Sequence, residues 1–231
     1  MIKNSNTCDR ISRRNFLVAS GTVAGGLMFP SPLNAQKQPG KIESGGKMDI
    51  DRFIEDCIVA NRDAEPQAAV LEVLRRMVQT PKAVLAALGE PTEAGIHVLH
   101  RSKTLTIFNA TWTPQMNLMP HNHLMWANIG IYTGREDNIM WSRRSETIEA
   151  FGAKALFEGD VAALPVDVIH SVTNPLLRFT GGIHIYGGDF FVTTRSQWNP
   201  ETRDEEPSDG AVIREIFERE NKRVQRSKDC K

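Results

Sequence analysis

The sequence has little cysteine, no surplus of either charge and no long apolar run. Three cysteines in 231 residues are too few for the disulfide framework of a small secreted domain. The 28 Lys and Arg residues equal the 28 Asp and Glu residues in number, which argues against a nucleic-acid or anionic-membrane partner. No segment reaches the roughly 20 apolar residues of a membrane-spanning helix. What remains is the composition of a soluble globular protein of about one domain.

The first 35 residues have the composition of an export signal. Four basic residues precede an uncharged stretch, Phe16 to Phe29, that is rich in Ala, Gly and Val. At their junction, Ser12-Arg13-Arg14-Asn15-Phe16-Leu17 resembles the twin-arginine signal, which the export machinery for folded proteins reads. We therefore expect a signal peptide over residues 1–35, a periplasmic or exported location and no membrane attachment after cleavage. An ordinary basic leader or a short N-terminal anchor is the alternative.

Two segments separate this leader from the main domain. Residues 36–47 are rich in Gln, Lys, Pro and Gly and are predicted to be a linker. Residues 48–92 carry apolar side chains at helical spacing, and Pro66 and Pro81 mark the starts of helices. Cys57 lies on the apolar face of the first helix, so we expect a buried thiol rather than a disulfide. This helical segment carries no chemical motif and is predicted to cover the main domain.

The main domain, residues 93–200, is predicted to be mainly β. Short β-rich runs alternate there with Gly, Pro and Asn turn signals, which is typical of a sandwich or a jelly-roll barrel. Residues 201–231 begin with an acidic segment, Asp204 to Asp209, which is predicted to be a solvated turn. A charged C-terminal helix is expected to follow it.

Two histidines of the main domain are placed to bind one ion. Pro120-His121-Asn122-His123 puts two imidazoles two residues apart, and residues i and i+2 of a strand point to the same face. Alone, this spacing is weak evidence for a metal. A third histidine, His170, lies on a later predicted strand that follows the turn at Gly159-Asp160.

Together these segments resemble the two sequence motifs of the cupin superfamily. The first motif supplies His-x-His, and the second is Gly-x5-Pro-x-Gly-x2-His-x3-Asn. The second motif is matched by Gly159, Pro165, His170 and Asn174. Asp167 takes the place of the middle glycine, and aspartate also tolerates turn geometry. The resemblance implies a cupin double-stranded β-helix, which is a jelly-roll barrel, with a metal bound by His121, His123 and His170.

A carboxylate is missing where most cupins have one. Their glutamate ligand follows the second histidine by four or five residues, and Ala127 and Asn128 stand there. Within the cupins, a set of three histidines is the hallmark of the thiol dioxygenases. Two further stretches resemble the bacterial mercaptopropionate and cysteine dioxygenases over residues 95–200. They are Pro120 to Trp126 with Gly130 and Gly134-Arg135-Glu136, and Ile183-His184-Ile185-Tyr186-Gly187-Gly188.

This resemblance implies an iron(II) enzyme that oxidises a small thiol with O₂. Three neutral imidazoles leave the full charge on the metal, which favours an anionic thiolate, although imidazole also suits other divalent metals. His184 and Tyr186 are implied as a proton relay, and Arg195 as the group that grips the substrate carboxylate through its guanidinium fork. From the residues alone, His184 could equally be a satisfied core histidine, Tyr186 a packing ring and Arg195 a surface arginine.

Two positions depart from the family pattern. Gly182 stands where a serine often precedes the relay histidine, which shortens the relay. Asn128 stands where the animal enzymes have the cysteine of a Cys–Tyr crosslink. The arginine that cysteine-type enzymes take from an earlier strand has no clear equivalent, because Arg101 is out of register.

The expected function is oxidation of a mercapto-carboxylate or a cysteine-like thiol to its sulfinate. The expected partners are that thiol, O₂ and the twin-arginine export machinery, with no nucleic acid. Two alternatives stay open: a cupin enzyme of another class, such as an isomerase or a non-thiol oxygenase, and a non-catalytic cupin that binds a metal or ligand.

Overall fold

Three short helices open the described part of the chain, which comprises residues 47–145 and 147–229 of the computed structural model. They are α1 (Ile50–Ala60), α2 (Pro66–Val78) and α3 (Pro81–Leu88). The predicted helix starts at Pro66 and Pro81 are confirmed, because the missing N–H of proline costs nothing at the first helical position. The predicted signal peptide and residues 36–46 of the predicted linker lie outside the described residues.

Eleven strands follow in the described residues, and a helix comes after them. The strands are β1 (Gly95–Arg101), β2 (Thr106–Trp112), β3 (Asn117–Asn122), β4 (Ala127–Thr133), β5 (Arg135–Arg144), β6 (Thr147–Phe157), β7 (Val161–Leu164), β8 (Ile169–Thr173), β9 (Thr180–Tyr186), β10 (Ser196–Trp198) and β11 (Glu205–Pro207). The final helix is α4 (Gly210–Asp229).

The strands form two antiparallel sheets with the connectivity of a jelly roll. The five-stranded sheet has the order β1-β2-β9-β4-β7, and the six-stranded sheet has the order β11-β10-β3-β8-β5-β6. Strands β2 to β9 thus pair as β2-β9-β4-β7 and β3-β8-β5-β6. This is the eight-stranded double Greek key of the double-stranded β-helix. The predicted fold class, a mainly β jelly roll with N-terminal helices and a C-terminal helix, is confirmed.

Two apolar cores hold the helices and the barrel together. One core fills the barrel interior and includes Phe108 and Ile129. The other lies between the helices and the outer face of the five-stranded sheet, and the buried Cys57 belongs to it, as predicted. Gly130 of β4 allows α2 to lie directly on the sheet, since a Cβ atom there would approach Leu74 Cγ to 2.8 Å.

The acidic segment predicted as a turn is instead an edge strand. β11 pairs with β10 in antiparallel register, and Glu205 accepts hydrogen bonds from Arg143 and Ser196. The turn prediction was wrong because strand pairing and these two bonds outweigh the turn preference of Asp204 to Asp209, although the strand is exposed as expected. In the described residues, no helix is long and apolar enough to cross a membrane.

Candidate metal centre

Two neighbouring strands bring three histidines to one place inside the barrel. His121, near the end of β3, and His170 of β8 are direct cross-strand partners. His123 follows β3, just before the chain turns at Leu124, where φ is 53°. One ligand nitrogen from each ring lies within 4.8 Å of those from the other two. The three histidines could therefore hold a metal ion.

The electrostatics of the group favour neutral imidazoles. His123 and His170 are 0% and 1% exposed, and their Nε2 atoms lie 3.1 Å apart. Burial lowers the pKa of His121 to about 4 and holds the pKa of His123 and His170 well below the usual value. Repulsion from His170 and His121 adds to the effect on His123. Unprotonated rings keep a lone pair for a metal, as coordination requires.

The outward-facing ring nitrogens show which atoms would bind that metal. His121 Nδ1 donates to the Met119 carbonyl at 3.0 Å, and His170 Nδ1 donates to Asn138 Oδ1 at 2.6 Å. Each of these rings therefore keeps its Nε2 lone pair for the ion. His123 Nδ1 has no hydrogen-bond partner in the described part of the chain. When the proton of His123 is on Nδ1, its Nε2 and that of His170 are two bare nitrogens 3.1 Å apart that face a common point, so the donor set suits a divalent metal.

In this chain, neither residue at the expected position of a fourth, glutamate ligand carries a carboxylate. Ala127 faces the barrel interior and is the cross-strand partner of Tyr186. Asn128 points to the other side of the sheet, where its Nδ2 donates to the Gln67 carbonyl of α2. The protein therefore contributes three neutral ligands and no negative charge within this group.

His184 and Tyr186 lie together beside the histidines. They project from β9 into the barrel, while Ile183 and Ile185 face the helices, which is the alternation expected from the sequence. The Tyr186 hydroxyl donates to His184 Nδ1 over a long 3.4 Å, and the Tyr186 ring centroid lies 4.9 Å from that of His123. Burial raises the pKa of the Tyr186 phenol, so its proton is retained at neutral pH.

Glu136 is the residue of this site to which sequence reasoning gave no role. It is 0% exposed and accepts hydrogen bonds from Trp112 Nε1 at 2.9 Å, Asn138 Nδ2 at 3.0 Å and His184 Nε2 at 3.2 Å. Burial alone would raise the pKa of Glu136, but attraction to His184 and these three bonds hold the pKa below its usual value. A signal was present: Glu136 and Asn138 are inward positions two apart on one strand, whereas Arg135 and Asp137 pair with each other on its opposite side.

Arg195 is partly buried rather than a solvated surface arginine. Its guanidinium carbon lies 3.7 Å from the centroid of the Phe190 ring, and its Nη1 donates to the Phe190 carbonyl. Phe190 in turn packs against Tyr186, with ring centroids 4.5 Å apart. Burial lowers the pKa of Arg195, yet the group stays charged because the usual value for arginine is so high.

An open cleft of about 330 Å³ reaches Arg195 from the surface. It is lined by Leu124, Thr194, Arg195, Ser196, Glu205, Glu206 and Pro207. None of the three histidines lines this cleft. Arg101, the other arginine considered from the sequence, is paired with Asp189 at 2.9 Å and stacked on Phe191.

No protein-family model and no curated protein matches the chain. Similar solved structures include an uncharacterised protein with a double-stranded β-helix domain from Klebsiella pneumoniae, 11% identical over 51% of this chain and 86% of that chain, with a TM-score of 0.35. A cupin family protein from Methanocaldococcus jannaschii is 10% identical over 45% of this chain and 87% of that chain, with a TM-score of 0.36. A mutant of oxalate decarboxylase from Bacillus subtilis is 17% identical over 38% of this chain and 22% of that chain, with a TM-score of 0.33.

The strand order and the histidine geometry define the class of protein. The chain folds as a double-stranded β-helix whose barrel contains a three-histidine group able to bind a metal ion. The fold assignment rests on the strand order of the chain itself, and the similarities to solved structures assign no activity.

Proposed function

We propose that the protein is a metal-dependent dioxygenase that converts a small thiol carboxylate to its sulfinate. The reaction is RSH + O₂ → RSO₂⁻ + H⁺, so both oxygen atoms end on sulfur and one proton is released. The observation that carries the proposal is the set of three neutral imidazoles with Ala127 in place of a carboxylate. Three ligands that bring no negative charge to the metal favour a substrate that binds to it as an anion.

His121, His123 and His170 would hold the metal through the converging nitrogen atoms. Iron(II) is the proposed ion, because when bound it supplies the redox chemistry by which dioxygen reacts with a thiolate. Imidazole ligands also accept other divalent metals, so ligand type does not decide between them.

Tyr186 and His184 would control a proton beside the metal. The phenol is protonated and lies against His123, and His184 Nδ1 is its hydrogen-bond acceptor. The hydroxyl has a single proton, so it would turn from His184 Nδ1 to donate to an oxygen or sulfur atom near the ion. It would regain a proton from His184 after that ring has taken up, on Nδ1, the proton released by the thiol. Phe108 stacks on both rings and holds them in this position.

Arg195 would bind the substrate carboxylate from the side of the open cleft. The guanidinium offers five N–H donors in a planar fork, of which one goes to the Phe190 carbonyl. Arg195 stacks on Phe190 and Phe190 packs on Tyr186, so these contacts connect the proposed carboxylate site to the proposed relay.

The direct test is oxygen uptake by the iron-loaded protein with 3-mercaptopropionate, cysteine and cysteamine, together with mass detection of the sulfinate. We expect uptake with the two carboxylates and little with cysteamine, which has no carboxylate. Replacement of His170 by Gln should abolish uptake, whereas replacement of the exposed His97 by Gln should not. Absence of thiol-dependent uptake with all three compounds would reject the proposal.

A cupin enzyme of another class is the second candidate, since position 182 is a glycine where thiol dioxygenases often have a serine, and His184 bonds to the Glu136 carboxylate. Metal analysis that finds manganese, nickel or zinc, together with absent thiol oxidation, would favour it. Retained metal binding without any turnover would favour a non-catalytic module.

We also propose that the protein is exported through the twin-arginine route, on the strength of Arg13 and Arg14 in the leader. Cell fractionation tests this directly. Wild-type protein should be found in the periplasm, and a variant with both arginines replaced by Lys should stay in the cytoplasm.

A further inference from the structure

We infer that Glu136 is a positioning residue that sets the proton positions on two histidines at once, the proposed metal ligand His170 and the proposed relay residue His184. The metal branch needs only the three-histidine group, whereas the relay branch rests on the proposed function. Both branches begin at one buried carboxylate that accepts three hydrogen bonds.

The first branch runs through Asn138 to His170. An ionised carboxylate has acceptors only, so Asn138 must turn its NH₂ group toward Glu136 Oε1, as it does at 3.0 Å. The amide oxygen of Asn138 then faces His170 Nδ1 at 2.6 Å and can only accept. His170 therefore carries its proton on Nδ1 and presents a bare Nε2 toward the other two histidines. The carboxylate thus selects the tautomer that can bind a metal.

The second branch runs directly from Glu136 to His184. Glu136 Oε2 accepts from His184 Nε2 at 3.2 Å, so that a singly protonated His184 carries its proton on Nε2. His184 Nδ1 is then an acceptor, and it faces the Tyr186 hydroxyl at 3.4 Å. The same carboxylate therefore directs the Tyr186 phenol to act as a donor toward His184.

An amide in place of the carboxylate cannot satisfy both branches at once. Trp112 Nε1 is a donor only and shares Glu136 Oε2 with His184, so both oxygens must accept. A glutamine at this position has one oxygen and one NH₂ group. If the NH₂ group faces Asn138, the Asn138 amide must flip, and His170 must move its proton to Nε2. If the NH₂ group faces Trp112 and His184, the N–H groups of those two rings point at a third donor and have no acceptor.

Space around His184 explains why the carboxylate has this role. A Cβ atom at Gly182 would lie 3.5 Å from His184 Nε2 and 2.9 Å from Ile131 Cδ1. Position 182 offers no side-chain partner, so among the described residues Glu136 is the side chain to which His184 Nε2 donates.

The test combines histidine ¹⁵N NMR of the zinc-loaded wild-type protein with zinc affinity measured by competition against a chelator. In the wild type we expect His170 to carry its proton on Nδ1 and to bind zinc through Nε2, and His184 to carry its proton on Nε2. His170 bound through Nδ1, or His184 protonated on Nδ1 alone, would overturn the inference without any substitution being made.

Three variants separate the branches. Glu136→Gln should weaken zinc binding about 10–100-fold and shift the His184 signals, as expected for loss of an outer hydrogen-bond partner. Asn138→Ala should weaken zinc binding to a similar degree but leave His184 unchanged. Tyr132→Phe, which removes a buried hydrogen bond to Asn109 on the outer face of the five-stranded sheet, should change neither.

Wild-type zinc affinity in Asn138→Ala would contradict the metal branch, and unchanged zinc affinity together with unchanged His184 signals in Glu136→Gln would contradict the inference as a whole. Should Glu136→Gln fail to fold, Asn138→Ala and the wild-type spectra still decide the matter. None of these measurements uses thiol turnover, so failure of the proposed thiol oxidation and failure of this inference are separate results.

Discussion

The indole of Trp112 donates a hydrogen bond of 2.9 Å to Glu136 Oε2 in the barrel interior, where both side chains are buried. The Trp112 ring also stacks on Phe217 of α4, with centroids 5.5 Å apart. The C-terminal helix is thus connected to the candidate site through one side chain.

We expect Trp112→Phe to destabilise the protein by about 1.5–3 kcal/mol, because a buried carboxylate loses one of its three donors. Trp141→Phe is the matched control, since its indole donates at 3.0 Å to the neutral Ser171 hydroxyl and its loss should cost about 1 kcal/mol. Chemical denaturation measures both. An equal decrease in the free energy of unfolding of the two variants would contradict the larger contribution expected from the hydrogen bond to Glu136.

Metal binding should stabilise the folded protein through mass action. Zinc at 100 times its Kd should add about 2.7 kcal/mol to the free energy of unfolding. His170→Gln should lose this gain, while His97→Gln, at an exposed position, should keep it. Thermal unfolding with and without zinc measures the difference, and an equal gain in both variants would place the ion elsewhere.

The metal-free protein should lose stability as the pH falls from about 6.5 to about 4. In that window unfolded imidazoles take up protons, whereas the folded pKa of His121 is lowered to about 4 by burial. The unfolded state therefore binds more protons, and the free energy of unfolding decreases on acidification. The loss from His121 alone is on the order of 3 kcal/mol.

The measurement is denaturation at several pH values. His121→Gln should reduce the slope between pH 6.5 and 4. A slope that is unchanged in this variant would argue against a neutral, buried His121 in the folded protein.

Tyr186→Phe should reduce thiol oxidation by a factor of about 100 or more, because it removes the proposed proton donor. Zinc affinity should be unchanged, since the ring still packs on Phe108 and Phe190. The two readouts are oxygen uptake and chelator competition. A variant that oxidises thiols at the wild-type rate would show that the phenol is a packing group only.

Arg195→Lys should raise KM for 3-mercaptopropionate about 10–100-fold, because a lysine cannot reproduce the bidentate fork. The activity with cysteamine, however small, should stay the same. Arg101→Lys serves as the control, since Arg101 is already paired with Asp189. Equal effects on both substrates would assign Arg195 a structural role in holding Phe190.

Local patterns predicted much of this molecule. Proline positions predicted the starts of α2 and α3, and the period-two alternation of β9 predicted that His184 and Tyr186 share a face. The approach of His121 to His170 follows from strand pairing within the recognised jelly roll. These features depend either on the spacing of residues that are close in sequence or on a fold that can be predicted from a sequence motif.

The parts that sequence reasoning missed depend on contacts between distant strands. Glu136 meets His184 and Asn138 meets His170 only because β5 pairs with β8 and the two sheets close over one interior. The same is true of Glu205, whose pairing with Arg143 helps to make a strand of a segment with turn composition. The periodicity of polar and apolar residues along one strand does not predict which side chain of another strand will contact it.

The alternation of β4 also limits what chemistry this barrel could acquire by mutation. Position 128 faces α2, so a cysteine introduced there would lie across the sheet from the Tyr186 phenol and could not form a thioether with it. Such a bond would require β4 to slip by one residue, which would turn Ile129 and Ile131 out of the interior. The tyrosine is consequently kept in place by its aromatic neighbours rather than by a covalent tether, and the evolutionary route to that tether is closed to single substitutions at this position.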